Sequence, residues 1–225
     1  MERPPSTAQW LDQVLRTRIV QGVFPMGARI NEANLAQELG ISRGPVREAL
    51  RRLETEGLVE YLPNRGCLVR SYTADSLREI ATLRSVLEQY AVQLAFTLDA
   101  KALFAALDQR LAEMRAAALR LDREGVIRAD LAFHQSLVAS AGHALLAKHW
   151  AMISQPVFYF ISIQPRTTRE LADLAETHAP ILETLRSGQS VHAIEAAVDK
   201  HIMDALDLVL CRGIAKPEAT PPEDS

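Results

Sequence analysis

Several kinds of residue are scarce in this sequence. Cysteine occurs twice in 225 residues, at Cys67 and Cys211, and a pair so far apart provides neither a disulfide framework nor a zinc ribbon. Aromatic residues make up 5% of the chain, which favours a core of aliphatic helices over a sandwich of sheets. No apolar run approaches the ~18 residues of a membrane span, and none opens the chain as a signal peptide does. We therefore expect a cytoplasmic protein without a membrane partner.

Basic residues are outnumbered overall but concentrated near the N-terminus. The whole chain has a formal net charge of −3, whereas residues 1–70 contain ten arginines, no lysine and eight acidic residues, a net charge of +2. Four of those arginines fall within ten consecutive positions: Arg43, Arg47, Arg51 and Arg52. A local cluster of this kind is typical of a protein that touches nucleic acid with one small part of its surface.

The spacing of apolar residues predicts three helices and a hairpin in the first third of the chain. A helix is expected over 8–21, a short one after the N-cap residue Asn31, and a third from Ser42 to about position 56. Two strand-like runs, 59–62 and 67–70, flank a Pro-Asn-Arg-Gly turn and predict a β-hairpin. Two helices joined by a tight turn and followed by a hairpin are typical of a winged helix-turn-helix.

The rest of the chain has the pattern of a helical bundle. We expect helices near 74–98, 100–122, 124–140, 143–163, 168–187 and 190–212. The predicted fold class is therefore mainly α. It comprises a winged helix-turn-helix with a small β-hairpin in residues 1–72 and an antiparallel helical bundle in 73–212. The charged, proline-containing tail, 213–225, is expected to be disordered.

The second helix of the helix-turn-helix carries a face of arginines. Arg43, Arg47 and Arg51 recur every fourth residue, away from the apolar residues Val46 and Leu50. In the major groove, guanidinium groups reach phosphates and the acceptor edge of guanine. A solvated helix face is the alternative interpretation of these arginines, but the tight turn and the basic hairpin tip favour DNA. The candidate DNA-binding residues are Ser42, Arg43, Gly44, Pro45, Arg47, Arg51, Arg65 and Gly66.

Four potential metal ligands occur in the helical part. Asp130 and His134 are four residues apart, so both project from one face of a helix. His178 falls in the next-to-last predicted helix and His201 in the last. Three imidazoles and one carboxylate suit a divalent cation such as zinc, nickel or manganese, with positions left for water or an anionic ligand. From spacing alone, structural histidines are the more common explanation.

A longer run around the arginine face resembles a known family. Residues 29–59 read RINEANLAQELGISRGPVREALRRLETEGLV, which closely resembles the GntR family of bacterial regulators. The resemblance implies that the residues matching Ser42, Arg43, Arg47 and the wing residue Gly66 lie at the DNA. Gly44 departs from the family, which usually has Thr there, and this departure affects the expected operator preference rather than DNA binding itself.

The helical part resembles the C-terminal ligand-binding domain of the FadR-type GntR subfamily, the FCD type. The resemblance is carried by Leu83-Arg84, Leu87-Glu88, Asp130, Phe133-His134, Gly142, His178, Gly188, Ala196 and His201. In many members the four positions matching Asp130, His134, His178 and His201 bind a metal, so the resemblance implies a metal site here. His143 departs from the Asn that often follows the glycine.

The expected ligand of the helical domain is a small organic acid. Arg84 matches an arginine that often faces the pocket in this subfamily, and a buried arginine needs a carboxylate partner. A bound acid would provide that carboxylate, while an internal ion pair with Glu88, one helical turn on, is the alternative. Gln155 and Tyr159 are further candidates for effector binding.

These observations together predict a homodimeric transcription regulator, a repressor rather than an activator, that binds a near-palindromic operator in double-stranded DNA. Its operator binding is expected to respond to the acid bound at the metal. One alternative is a metal-dependent enzyme with a DNA-binding appendage, although the sequence contains no HExxH motif, nucleophile elbow or P-loop. The other is a regulator that senses the metal itself.

Overall fold

The chain forms two compact units, the first ending at Thr73 and the second spanning Ala74–Arg212. A computed structural model describes residues 7–20, 23–55, 57–163 and 167–211, and at positions 7–9, 20, 155–163 and 168 it describes the backbone alone. The tail predicted to be disordered, 213–225, lies outside the described residues.

The described residues of the first unit form three helices and a small antiparallel sheet. The elements are α1 (Thr7–Val20), β1 (Arg29–Ile30), α2 (Glu32–Glu38), α3 (Arg43–Thr55), β2 (Val59–Leu62) and β3 (Gly66–Val69). Strands β2 and β3 form the predicted hairpin, and β1 pairs with the other edge of β3, so the strand order is β1-β3-β2. The two-residue strand β1 was not predicted. The winged helix-turn-helix is confirmed.

Helix α2 begins where the sequence indicated. The side-chain oxygen of Asn31 accepts hydrogen bonds from the backbone N–H groups of Ala33 (3.0 Å) and Asn34 (3.1 Å), which have no partner inside the helix. Gly40 follows α2 with a φ of +66°, a conformation that glycine adopts at little cost, and the chain turns there towards α3. The arginine-bearing helix α3 is therefore held at a defined angle to α2.

The apolar faces of α1, α2 and α3 meet in one core. Its fully or nearly fully buried members are Leu11, Leu15, Ile19, Leu35, Ala36, Val46, Ala49, Leu50 and Leu53. The predicted inward residues of α3 are thus buried, which leaves its arginines on the opposite face. Leu39, which follows α2, is only half-buried.

The second unit is all helical. It comprises α4 (Ala74–Leu119), α5 (Arg123–Ser140), α6 (Ala144–Ile163), α7 (Thr168–Glu176), α8 (Ala179–Arg186) and α9 (Val191–Cys211). Helix α4 is interrupted by non-helical backbone at Asp99 (φ −162°, ψ 91°), in agreement with the predicted break between residues 98 and 100. The Asp99 carboxylate accepts from the N–H groups of Lys101 and Ala102 and so caps the second half of the helix.

The prediction of one helix over 168–187 is wrong. The structure has two helices here, and His178 lies between them as the N-cap residue of α8 rather than inside a helix. The cause is Pro180, in the first turn of α8, because a proline ring clashes with the carbonyl group four residues before it, which here belongs to Glu176. Helix α7 ends at that residue. The break turns the His178 side chain towards the interior, where it is fully buried.

Helix α4 also corrects the expectation about apolar runs. It contains an 18-residue window with a mean hydropathy of 1.3, enough by length and composition to cross a membrane. The same helix packs against α5, α6 and α9. It also carries buried apolar residues such as Leu77, Val92 and Leu107. Packing within the unit therefore buries part of this window, 28% of its residues.

The cap on α2 provides a test of the fold. We expect Asn31→Ala to lower the free energy of unfolding by about 0.5–2 kcal/mol, because two N–H groups lose their acceptor. The matched control is Asn34→Ala, the same change at an exposed position in the same helix, which we expect to alter stability by less than about 0.5 kcal/mol. Urea unfolding followed by circular dichroism measures both. Equal losses in the two variants would contradict the capping role.

Candidate functional site

Four side chains from separate elements meet inside the second unit. Asp130 and His134 project from α5, His178 from the junction of α7 and α8, and His201 from α9. All four are buried, and the potential ligand atoms, one from each residue, all lie within 4.8 Å of one another. Around a tetrahedral zinc ion with zinc–ligand distances of about 2.0–2.2 Å, the ligand atoms lie about 3.3–3.6 Å apart. The most widely separated ligand atoms of the cluster would therefore approach one another by up to about 1.5 Å on binding an ion.

The Nδ1 atom of each imidazole lies on the outer side of the cluster, within hydrogen-bond distance of an acceptor. Nδ1 of His134 lies 2.7 Å from a carboxylate oxygen of Glu88. Nδ1 of His178 lies 3.1 Å from the carbonyl oxygen of Leu174, and Nδ1 of His201 lies 3.2 Å from that of Thr177. Because carbonyl and ionised carboxylate oxygens can only accept, we assign the proton of each ring to Nδ1. Each neutral ring then has a lone pair at Nε2, on the side of the cluster.

The Nε2 atoms and the Asp130 carboxylate oxygens face one another inside the cluster, and in this assignment none of them carries a proton. Nε2 of His134 lies 3.2 Å from Nε2 of His201, and Nε2 of His178 lies 2.8 Å from Oδ1 of Asp130. That second approach lacks hydrogen-bond geometry, and among the described residues Oδ2 of Asp130 and Nε2 of His178 have no hydrogen-bond partner although both are buried. Opposed lone pairs in a dry interior repel unless a cation lies between them. The residues therefore fit a bound divalent metal.

The electrostatic surroundings favour the ligand forms of these groups. Burial lowers the pKa of His134, and burial followed by the neighbouring His178 and His134 lowers the pKa of His201 well below its ordinary value. Neutral imidazoles and an ionised carboxylate are the forms that bind metals.

Glu88 supports the cluster from behind and was missed as a functional residue. Its fully buried carboxylate accepts from Nε of Arg84 (2.6 Å), Nε1 of Trp150 (2.8 Å) and Nδ1 of His134 (2.7 Å). Burial would raise the Glu88 pKa, but Arg84 and His134 outweigh burial and the pKa is lowered. The spacing of Arg84 and Glu88 was the available signal, since it indicated an ion pair. Nothing in the sequence indicated that His134 and Trp150 would also donate hydrogen bonds to Glu88.

The predicted effector residues lie in different situations. Arg84 is buried and forms the ion pair with Glu88 that was its alternative assignment. Gln155 and Tyr159 belong to α6, but their side chains lie outside the described residues. A groove of about 500 Å³ borders His201 and is also lined by Thr177 and Lys200. Arg84 is not among the described residues that line it.

The predicted DNA-binding residues at the start of α3 and along it lie at the surface of the first unit. Ser42, Arg43, Gly44, Arg47 and Arg51 are exposed at or near the N-terminal half of α3. Pro45 is half-buried beside them. A Cβ atom built on Gly44 would meet nothing within 4 Å, so the departure from threonine at this position leaves open space rather than filling it.

Arg65 and Gly66 stand at the turn between β2 and β3. Arg65 is exposed at the tip, and Gly66 has a φ of +74°, which a residue with a side chain adopts only under strain. The guanidinium of Arg29 on β1 lies within 3.8 Å of the point where a Gly66 side chain would begin. Arg29 is therefore a further basic residue beside the wing, which only the pairing of β1 with β3 brings there.

A winged helix-turn-helix with an exposed arginine face defines a DNA-binding protein of the transcription-regulator class. Residues 7–69 match the family described as bacterial regulatory proteins, gntR family, and residues 79–204 match the FCD domain. The chain belongs to the GntR family and carries an FCD domain. The alternative of a metal-dependent enzyme is overturned, because the family and its relatives are transcription regulators.

Individual relatives agree with this assignment. The "Probable D-xylose utilization operon transcriptional repressor" of Paenarthrobacter nicotinovorans is 33% identical over 82% of this chain and 80% of its own length. The gluconate operon transcriptional repressor of Bacillus subtilis is 27% identical over 71% of this chain and 69% of its own length. The crystal structure of a GntR transcriptional regulator from Rhodococcus sp. RHA1 covers 92% of this chain and 99% of its own, with a TM-score of 0.74. At 24% sequence identity, this likeness shows only that the two proteins share a fold.

The Glu88 network yields a stability prediction. We expect Glu88→Gln to lower the free energy of unfolding by about 3–5 kcal/mol, because Arg84 loses the charge that compensates its burial. The matched control is Glu195→Gln, another buried carboxylate of the second unit, whose Oε1 has no hydrogen-bond partner within the part of the chain that the structure describes. We expect that control to cost less than about 1 kcal/mol. Chemical denaturation of both variants at neutral pH measures the difference. An equal loss of unfolding free energy in the two variants would contradict the proposed stabilising role of Glu88.

Proposed function

We propose that this protein is a repressor whose operator binding is modulated by a small carboxylate bound at a divalent metal in the helical unit. The convergence of three Nε2 atoms and one carboxylate in a buried cluster is the observation that carries the proposal. Asp130, His134, His178 and His201 would hold the ion, with zinc first among the candidates and nickel or manganese as alternatives. The bound ion would offer open positions to the carboxylate oxygens of the effector.

The second unit supports an anionic effector beside the metal. Arg84 lies one helical turn from Glu88, and Glu88 contacts His134, so an acid at the metal would lie near a buried cation. Gln155 and Tyr159 on α6 are proposed as further contacts. The name of the gluconate operon repressor favours a sugar acid as the first ligand class to test.

The first unit supports recognition of the major groove by α3 and of the adjacent backbone or minor groove by the wing. Contacts are proposed for Ser42, Arg43, Gly44, Pro45, Arg47, Arg51, Arg65 and Gly66. A single helix-turn-helix makes few base contacts, so we propose a homodimer on a near-palindromic operator, acting in the cytoplasm. Leu83, Val86 and Tyr90 form an exposed apolar stripe on one face of α4, which supports a contact between copies.

The metal proposal predicts the composition of the purified protein. We expect about one divalent ion per chain by elemental analysis, and a fall in the thermal midpoint of about 5–10 °C after chelation. His201→Ala should lose the ion. The matched control His192→Ala removes an exposed histidine from the same helix and should keep it. A wild-type protein that refolds without metal and shows no midpoint shift on adding zinc, nickel or manganese would contradict the site.

The effector proposal predicts a metal-dependent change in operator binding. With metal-loaded protein and a duplex obtained by in vitro selection, we expect D-gluconate or a related sugar acid to weaken binding by about 5–150-fold. Fluorescence anisotropy measures the affinity, and light scattering of the complex should give two chains per duplex. The His201→Ala variant should bind the duplex with an affinity that does not change when the acid is added.

Two results would lead away from this mechanism. Operator binding that is unchanged by every acid tested would contradict effector control by a carboxylate. Binding that instead follows the metal alone, at constant acid concentration, would support the alternative that the metal is the signal.

A further inference from the structure

Glu32 links the three elements that make up the proposed DNA-reading surface. It is the first residue of α2, and its side chain is only 18% exposed. One carboxylate oxygen, Oε2, accepts from both Nε (3.1 Å) and Nη2 (3.0 Å) of Arg47 on α3. The other, Oε1, accepts from the hydroxyl group of Tyr61 on β2 at 2.8 Å. A single carboxylate therefore connects α2, the arginine-bearing helix α3 and the wing strand β2.

The neighbouring arginine is held by a parallel set of contacts. Nη1 of Arg51 donates to Oε2 of Glu54 at 2.7 Å, and its guanidinium lies 4.0 Å from the ring centre of Tyr61. The backbone N–H of Tyr61 donates to Oε1 of Glu54. Tyr61 thus contacts both arginine–carboxylate pairs, and the positions of Arg47 and Arg51 depend on the wing strand.

The geometry at Glu32 decides which edge of Arg47 points outwards. The Nε–Nη2 edge of the guanidinium is turned to the carboxylate, which leaves the Nη1–Nη2 edge for a ligand. The side chain of Arg47 is 63% exposed while that of Glu32 lies beneath it. An arginine presents two parallel N–H groups along this end edge, the geometry that matches O6 and N7 of guanine.

The charge of the pair matters as much as its geometry. Burial would raise the Glu32 pKa, but the hydrogen bonds from Tyr61 and Arg47 outweigh burial, so the pKa is lowered and the carboxylate is ionised at neutral pH. Arg47 and Glu32 together then carry no net charge. Attraction to phosphates follows net positive charge and is independent of sequence, whereas base readout follows the direction of donors.

We propose that Glu32 is a positioning residue that makes Arg47 a reader of guanine rather than a phosphate contact. It directs the end edge of Arg47 towards the groove and cancels charge that would otherwise strengthen binding to any DNA. Tyr61 holds Glu32 in place from the wing. This inference rests on the proposed contact of Arg47 with DNA.

The test compares Glu32→Gln with Glu38→Gln. Both changes remove one negative charge from α2, but Glu38 pairs with Arg18 of α1, away from Arg47. Affinities are measured for an in vitro selected duplex and for a scrambled duplex of the same composition, over a range of salt concentrations. For Glu32→Gln we expect about tenfold weaker binding to the selected duplex. We also expect tighter binding to the scrambled duplex, with a salt slope steeper by about 0.9.

The control and a second variant keep the outcome clear. Glu38→Gln should leave the ratio of the two affinities within about twofold of wild type. Tyr61→Phe should shift the ratio in the same direction as Glu32→Gln but less, and its melting curve shows whether the fold is intact. A loss of affinity for both duplexes with an unchanged ratio, in a variant that remains folded, would mean that Glu32 is merely structural and would overturn the inference.

Arg47→Ala separates this inference from the proposed function. If Arg47→Ala weakens binding to the selected duplex while Glu32→Gln leaves the affinity ratio unchanged, only the positioning role fails. If Arg47→Ala has no effect on either duplex, the proposed contact itself fails, and the positioning role fails with it.

Discussion

The carboxylate of Glu88 accepts hydrogen bonds from side chains of α4, α5 and α6 while it is completely buried, and the chemistry of the second unit depends on this arrangement. A buried ionised carboxylate is costly unless its lone pairs are satisfied, and the Arg84 charge, Trp150 and His134 satisfy them together. Because the carboxylate can only accept, His134 must donate from Nδ1. The contacts that pack three helices therefore also turn the lone pair of His134 towards Asp130 and the other two histidines.

Backbone carbonyl groups orient the other two histidines of the cluster in the same way. His178 donates to the carbonyl oxygen of Leu174 in the last turn of α7, and His201 donates to that of Thr177 in the segment between α7 and α8. That segment exists because Pro180 ends one helix and begins the next. The geometry of the cluster is thus set by one buried ion pair, which contributes no potential ligand atom, and by one helix break, which contributes that of His178.

A carboxylate also directs a functional side chain in the first unit, but in a different environment. Glu32 is partly exposed and pairs with an arginine at the surface, where ion pairs contribute little to stability. Its significance lies in orientation. Glu88 stabilises a buried arrangement and fixes the tautomer of His134. Glu32 contributes little to the stability of the fold and instead determines which edge of the Arg47 guanidinium faces outwards.

Local patterns in the sequence determined most of the elements of this protein. The periodicity of Val46, Leu50 and Leu53 predicted α3 and its exposed arginines, Asn31 predicted the start of α2, and the alternation after Gly57 predicted the hairpin. These features depend on residues close together in the chain, for which side-chain period and capping chemistry are sufficient guides. Strand β1 escaped detection because two residues have no measurable period, and the break at His178 because helical periodicity continues across it.

The sequence by itself, read with its family resemblance, determined the fold class, the membership of a regulator family and the identity of the four clustered residues. Tertiary structure alone decided how those residues are used. It placed Glu88 and Trp150 behind His134, and it joined Glu32, Arg47 and Tyr61 into one network. Each of these contacts joins residues of different elements that are between 15 and 62 positions apart. The partners are brought together by the packing of these elements, which a local pattern does not encode.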